Sequence, residues 1–326
     1  MFNLSLTACS FYLKKRNSRS EEHIYALNSS VRGESEDGNA YSFEDCEGMF
    51  RSFFQNYTSI QIDDDKQQTF KCDFDSYTYV DDENFRMYYI KILSGNYGSA
   101  SDILDSDSQK IVYQKKASDI DTRPFYLFII FPKDNKKVTV QKGMLIFQNV
   151  GPLGIKTITT SLIKKYFAEK FKSTLICSTI SVDLFIKKII KKENIKKLRI
   201  TRNLRPSDTA DRIYKGYGHE TRELKNLNFS DDIWTKIISN IHWMAGHRSS
   251  VFEFEDIDYD NLKLIVDVGG RDRTIDIHNL SNLSIIEAIP DDIRMADGHP
   301  NLPKLVDHFK LVTNEYLNEM VLTIIP

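Results

Sequence analysis

The stretch Phe125–Phe131 reads FYLFIIF, seven residues without a polar break, and it stops at Pro132 and a charged turn. A run this short, unbroken and aromatic reads as a strand buried on both faces. Gly143–Gln148 (GMLIFQ) has the same character and is its expected partner. Beyond a loop with two glycines, Lys156–Lys172 places Ile158, Leu162, Ile163, Tyr166, Phe167 and Phe171 along one helical stripe. Thr174–Ile180 reads as a strand, Ser181 caps an expected helix over Val182–Lys192, and Ile195–Thr201 alternates apolar with basic residues. The order is β-β-α-β-α-β, which predicts a basic α/β sandwich at the centre of a mixed α+β chain.

On the N-terminal side the signal is β-rich. Phe11–Lys15 and His23–Leu27 read as strands joined by a polar turn, and Phe70–Phe74, Tyr77–Val80 and Phe85–Leu93 continue the pattern. Within it, Phe43–Asn56 is helical, because Phe43, Cys46, Met49, Phe50, Phe53 and Phe54 recur every three or four residues. On the C-terminal side, a helix is expected over Asp231–Met244 and strands over Val251–Phe254, Leu262–Val268 and Arg273–Ile277. The last two flank Gly269-Gly270-Arg271-Asp272, a hairpin signal. A final amphipathic helix runs from Leu302 to about Val321.

The 326 residues carry 44 basic and 46 acidic side chains, a formal charge of -2, with 41% hydrophobic residues. That composition supports a sizeable core and argues against disorder as the main state. The near-neutral total conceals a segregation: residues 1–123 sum to -7, residues 124–216 to +14 and residues 217–326 to -9. These shifts define three expected domains: 1–123, acidic and β-rich; 124–216, basic α/β; and 217–326, acidic α+β. No apolar stretch approaches the roughly 20 residues of a membrane span, and the N-terminal charges follow the apolar run, so a cytoplasmic chain is expected. Cys9, Cys46, Cys72 and Cys177 are far apart and form no CxxC pair, which favours buried thiols over a disulfide framework or a zinc site.

Between Lys164 and Arg205, 13 Lys and Arg face three acids. The candidate nucleic-acid-binding residues are Lys187, Lys188, Lys191, Lys192, Lys196, Lys197, Arg199, Arg202 and Arg205. Alternation puts Lys197 and Arg199 on one face of a strand and Leu198 and Ile200 on the other. Arg suits bidentate contact with phosphate, and such contacts position a nucleic acid without reading its bases. The competing reading is that the basic region docks onto acidic surfaces of this chain or of another.

The loop Gly151–Thr157 (GPLGIKT) lacks the spacing of a P-loop, since only two residues separate its glycines and Ile155 intervenes before Lys156. A weaker role survives for Lys156 and Thr157, as holders of one phosphate oxygen at a helix start. The histidines show no metal-ligand spacing, and no resident cofactor or metal site is expected. Asp267, Asp272, Asp276 and Glu287 lie near β segments, where a metal-dependent nuclease would place acids, yet the usual acid–x–Lys pattern is missing.

The succession FYLFIIFPK, GMLIFQNVGPLGIKT, IKKLRITRNLRPSDTADRI and KLIVDVGGRDRTIDI resembles a family of bacterial phage-defence proteins similar to the phage-exclusion protein RexA. The likeness spans roughly residues 120–280 and rests on the order of strands and polar joints, without a catalytic signature. It implies an anti-phage protein that binds DNA without strong sequence preference and forms a dimer. The expected partners are double-stranded DNA and either a second copy of the chain or a partner protein of the same defence system. Two alternatives stay open: a metal-dependent nuclease effector, and a structural subunit whose basic face meets an acidic protein. Enzymatic activity is left undecided, with the balance against it.

Overall fold

The computed structural model describes residues 3–16, 24–29, 31–33, 43–63, 67–133, 139–151, 153–180, 190, 195–204, 218–225, 239, 252–254, 257–259, 261–267, 272–276, 284–320 and 322. In chain order the elements are β1 (Leu4–Lys15), β2 (Val31–Arg32), β3 (Phe43–Glu44), α1 (Cys46–Asn56), β4 (Gln61–Asp63), β5 (Gln68–Asp81), β6 (Phe85–Asn96), β7 (Ser101–Leu104) and β8 (Ile111–Lys115). They continue with β9 (Asp121–Pro132), β10 (Gly143–Val150), α2 (Lys156–Lys170), β11 (Ser173–Ser178), β12 (Ile195–Leu204), β13 (Gly218–Lys225), β14 (Phe252–Phe254) and β15 (Ile257–Tyr259). Last come β16 (Asn261–Asp267), β17 (Asp272–Asp276), β18 (Ile285–Ala288) and α3 (Leu302–Glu319). The fold is mixed α+β, as the sequence pattern predicts.

The chain divides into two compact units, one built on residues 1–177 and 289–317 and the other on residues 178–288. In the first, the main sheet runs β11-β1-β10-β9-β6-β5-β4. The pairs from β1 through β4 along this path are antiparallel. The FYLFIIF run lies in β9, at the middle of this order, and Phe125, Leu127, Phe128, Ile129 and Ile130 are all buried.

Parity along β9 shows why the run has no polar break. Phe131 packs edge-on against Phe50 of α1 at 6.2 Å between ring centroids, whereas Phe128 meets Phe309 of α3 at 4.6 Å. Residues an odd number apart on a strand point to opposite faces, so α1 lies on one side of the sheet and α3 on the other. Phe50 also touches Phe167 of α2 at 5.1 Å and Phe11 of β1 at 5.5 Å, so four separate elements converge on this one ring. The Phe11 ring crosses its ladder partner Gly143, where a Cβ would come within 2.5 Å of it; glycine at this register position lets the ring reach Phe50.

Asp45 starts α1 one turn later than the Phe43 periodicity predicts, because its side chain accepts a hydrogen bond from the Gly48 backbone N–H at 2.7 Å. Phe43 and Glu44 instead pair with β2. Several strands exceed their expected lengths. The segments predicted at Phe70–Phe74 and Tyr77–Val80 are one strand, β5, whose register against β6 shifts between Asp73 and Thr78. Ser76 occupies that irregularity, and its hydroxyl accepts the Lys91 N–H at 2.8 Å, so the polar break marks a bulge rather than a turn. The expected strand His23–Leu27 is, among the described residues, a single bridge from Ile24 to Lys14. The hairpin β7–β8 (SDIL and IVYQK) carries no period-2 signal in its sequence.

The second unit contains an antiparallel sheet, β13-β12-β16-β17, and the small pair β14–β15. The β16–β17 hairpin forms as its Gly-Gly signal predicts. The units cut across the charge-drawn domains. β9 begins at Asp121 and pairs along its length with β6, so the 123/124 division falls inside one sheet. The predicted β-β-α-β-α-β sandwich is likewise shared out: β9, β10 and β11 join the first sheet, while β12 joins the second. Formal charge follows solvent-facing positions, whereas the divisions of the fold follow ladder pairing. The helices expected over Val182–Lys192 and Asp231–Met244 lie outside the described residues, apart from Ile190 and the helical Ser239.

Cys9, Cys46 and Cys72 are buried free thiols and Cys177 is half-buried. Burial is the main cause that pushes the Cys46 thiol up to about 12, which keeps it protonated at neutral pH. Cys177 moves the other way, chiefly through a hydrogen bond with Cys9 on the neighbouring strand and also through the field of Lys164 and Lys156.

Candidate nucleic-acid interface

Of the nine candidate nucleic-acid-binding residues, the four that the structure describes, Lys196, Lys197, Arg199 and Arg202, all lie on β12 in the second unit. β12 is flanked by β13 and β16, which makes it an interior strand. Its inner face carries Leu198 and Ile200, both buried; Leu198 is the register partner of Leu264, and Ile200 of Leu262. The opposite face carries Lys197 and Arg199, the alternation expected from the sequence. Lys196 breaks the alternation because the ladder to β16 shifts between Ile195 and Lys197. This bulge lets Ile195 and Leu198 both be buried, although they are three residues apart, and leaves Lys196 exposed.

Register places further bases beside these. Lys225 on β13 is opposite Lys197, and Lys263 on β16 is opposite Arg199. Lys197, Arg199, Lys225 and Lys263 thus form a quartet on one face of three adjacent strands. Acids edge it: Glu223 on β13 is the other partner of Arg199, and Asp276 on β17 is opposite Lys263. The row across the sheet reads acid, base, base, acid.

Ion pairs follow that row. Arg199 donates from Nη2 and Nε to the same Glu223 oxygen, at 2.6 and 2.9 Å. Lys196 pairs with Asp267 at 2.8 Å, and Lys263 with Asp276 at 3.7 Å. The Arg199 hydrogen bond is the main cause that holds the Glu223 carboxyl below its ordinary value. The linkage therefore favours the folded sheet above the unfolded carboxylate pKa, and the gain is lost as pH falls through the lowered folded value. All of these pairs are solvent-exposed, and pairs of this kind contribute little stability.

Of the other predicted residues, Lys187, Lys188, Lys191, Lys192 and Arg205 lie outside the described residues. Arg202 lies on β12 opposite Glu220. Lys156 and Thr157 open α2 in the first unit, so they belong to a different unit from the β12 cluster. The α2 N-terminus has Ile155 at its cap and no side-chain hydrogen bond there. The two glycines of the loop have structural causes. Gly151 adopts φ 53°, and Gly154 sits where a Cβ would come within 2.5 Å of Asn149 Oδ1. The acids proposed for a nuclease are divided: Asp267 and Asp276 serve as ion-pair partners of Lys196 and Lys263, and no cluster of three potential metal ligands occurs among the described residues.

No family model, curated protein or solved structure matches the chain. The geometry of this sheet therefore carries the functional argument. Sequence reasoning found β12 but missed Lys225 and Lys263. They come from strands separated from β12 in sequence, and only the ladder register brings them to the same face. It also missed β13, whose sequence GHETRELK is polar enough to read as loop.

Proposed function

We propose that the chain binds the phosphate backbone of double-stranded DNA, without strong sequence preference and without catalysis, through the basic quartet on the β13-β12-β16-β17 sheet. The supporting observation is the register of like charges: Lys197 faces Lys225, and Arg199 faces Lys263. Like charges directly opposite one another on a sheet are destabilising; Glu223, paired with Arg199 and Lys225, and Asp276, paired with Lys263, offset part of that cost, and an anionic ligand would relieve the rest. The paired acids do not oppose this reading. An exposed carboxylate–guanidinium pair contributes little stability, so exchanging Glu223 for a phosphate costs little.

The resemblance to bacterial phage-defence proteins supplies the proposed setting, a cytoplasmic anti-phage role. No helix among the described residues is long and apolar enough to cross a membrane. The Arg199–Glu223 and Lys196–Asp267 pairs favour a second reading, in which the bases serve only acidic protein surfaces.

Titrating a labelled duplex at several salt concentrations separates the two. Phosphate contact requires log K to fall linearly with log salt, with a slope of about -0.9 per phosphate neutralised. A flat dependence, or no binding at low salt, rejects the proposal. Glu223→Gln is expected to tighten duplex binding several-fold, because it frees Arg199 from a competing acid. Unchanged or weaker binding by this variant favours the second reading.

A further inference from the structure

We infer that the β7–β8 hairpin of the first unit is the contact between two copies of this chain. Among the described residues, β7 and β8 pair with each other and with no other strand. Ile103, Leu104, Ile111, Val112 and Tyr113 are between 49% and 62% exposed, which gathers five of the chain's large exposed apolar side chains on one short element. Leu104 follows Ile103, and the other three are consecutive, so apolar side chains leave both faces. An isolated two-stranded ribbon has marginal stability in water and gains none by exposing such side chains.

The hairpin is nonetheless well ordered by its own hydrogen bonds. At the tip, Asp105 accepts the Ser108 N–H at 2.7 Å, and its own N–H donates to the Lys110 carbonyl at 2.9 Å. Gln109 takes the left-handed conformation, φ 54°, that closes the turn. At the base, one Asp119 oxygen accepts both the Tyr113 hydroxyl, at 2.6 Å, and the Lys116 N–H, at 2.9 Å. A preformed arm loses little freedom on docking, which is the property expected of a binding element.

Two features identify a second copy as the occupant. The first is charge. Asp102, Asp105 and Asp107 mark the β7 limb and the turn, while Lys110, Lys115 and Lys116 mark the β8 limb. Residues 101–116 are thus neutral, with acids on the β7 limb and turn and bases along the β8 side, and a two-fold axis sets the acidic limb of each copy beside the basic limb of the other. A contact of this self-complementary kind closes as a dimer. The second is area. Five half-exposed side chains offer roughly 400 Å² of apolar surface per copy; at the roughly 65% apolar share of homodimer interfaces, two copies bury about 1,200 Å², the lower limit for a specific contact.

Sedimentation velocity of the full chain across the micromolar range tests this. The wild type is expected to form a concentration-dependent dimer. Ile103→Glu/Val112→Glu changes only exposed positions and is expected to weaken the dimer at least about tenfold, with an unchanged circular dichroism spectrum. Two charge variants test the pairing of limbs. Asp102→Lys/Asp107→Lys and Lys110→Glu/Lys115→Glu should each dissociate alone, and an equimolar mixture of the two should restore a dimer. A monomeric wild type overturns the inference, as does a dimer that survives Ile103→Glu/Val112→Glu. Failure of the mixture to reassociate overturns the limb pairing. A monomer that sediments with phosphatidylcholine vesicles, and loses this in the glutamate variant, reassigns the arm to a bilayer.

Discussion

Phe50→Ala is expected to cost about 3–5 kcal/mol of stability, the range for removing a fully buried Phe ring. The side chain is completely inaccessible and touches Phe11, Phe131 and Phe167, so the truncation leaves a gap where α1, α2 and two strands meet. Each of those rings is anchored on its own regular element, which restricts collapse into the space. For a unit of about 200 residues, 1 kcal/mol shifts Tm by about 2–4 °C, so a fall on the order of 10 °C is expected in a thermal melt. The neighbouring Arg51 supplies the control. It is exposed and pairs with Glu47 one turn away, so Arg51→Ala should stay within about 0.5 kcal/mol of wild type. A Phe50→Ala loss below about 1 kcal/mol would contradict the convergence of layers on this ring.

The second large effect is expected from Lys197→Gln, Arg199→Gln and Lys263→Gln combined. Removing three phosphate contacts should lower the slope of log K against log salt by about 2 to 3 and weaken duplex binding on the order of 100-fold near physiological salt. All duplex sequences should lose affinity alike, because phosphate contacts position a nucleic acid without reading its bases. Stability should move little or rise slightly, since the variant relieves the repulsion across Lys197–Lys225 and Arg199–Lys263 at the expense of two exposed ion pairs. Affinity lost with stability retained separates a ligand-binding face from a structural one. An unchanged salt slope would remove these residues from the interface.

The buried elements were the most legible part of the chain. FYLFIIF, GMLIFQ and the Phe-rich stripe of α1 each have one dominant packing solution, and the structure uses it. What sequence could not supply was pairing between distant segments. β1 and β10 are neighbours although more than 130 residues separate their paired positions, and nothing local in LSLTACSFYLKK specifies that partner. The candidate site shows the same limit. Alternation gave the face of Lys197 and Arg199, but Glu223, Lys225 and Lys263 reach that face only through register. Charge counting also pointed to divisions that the sheets ignore, because a basic stretch can contribute strands to two different sheets.

The sheet order has a consequence for synthesis. β9 and β6 can pair as soon as residue 132 has left the ribosome, but the other edge of β9 then has no strand against it until β10 follows. β1, the first strand made, must wait for β10 to offer an edge. During that interval FYLFIIF presents unpaired backbone and apolar side chains together, the combination that drives edge-to-edge aggregation. Nascent chains halted before Gly143 should therefore be the most aggregation-prone of a truncation series, and extension past Val150 should lower the pelleted fraction of released products, with the remainder lost only once α3 covers the Phe128 side of β9.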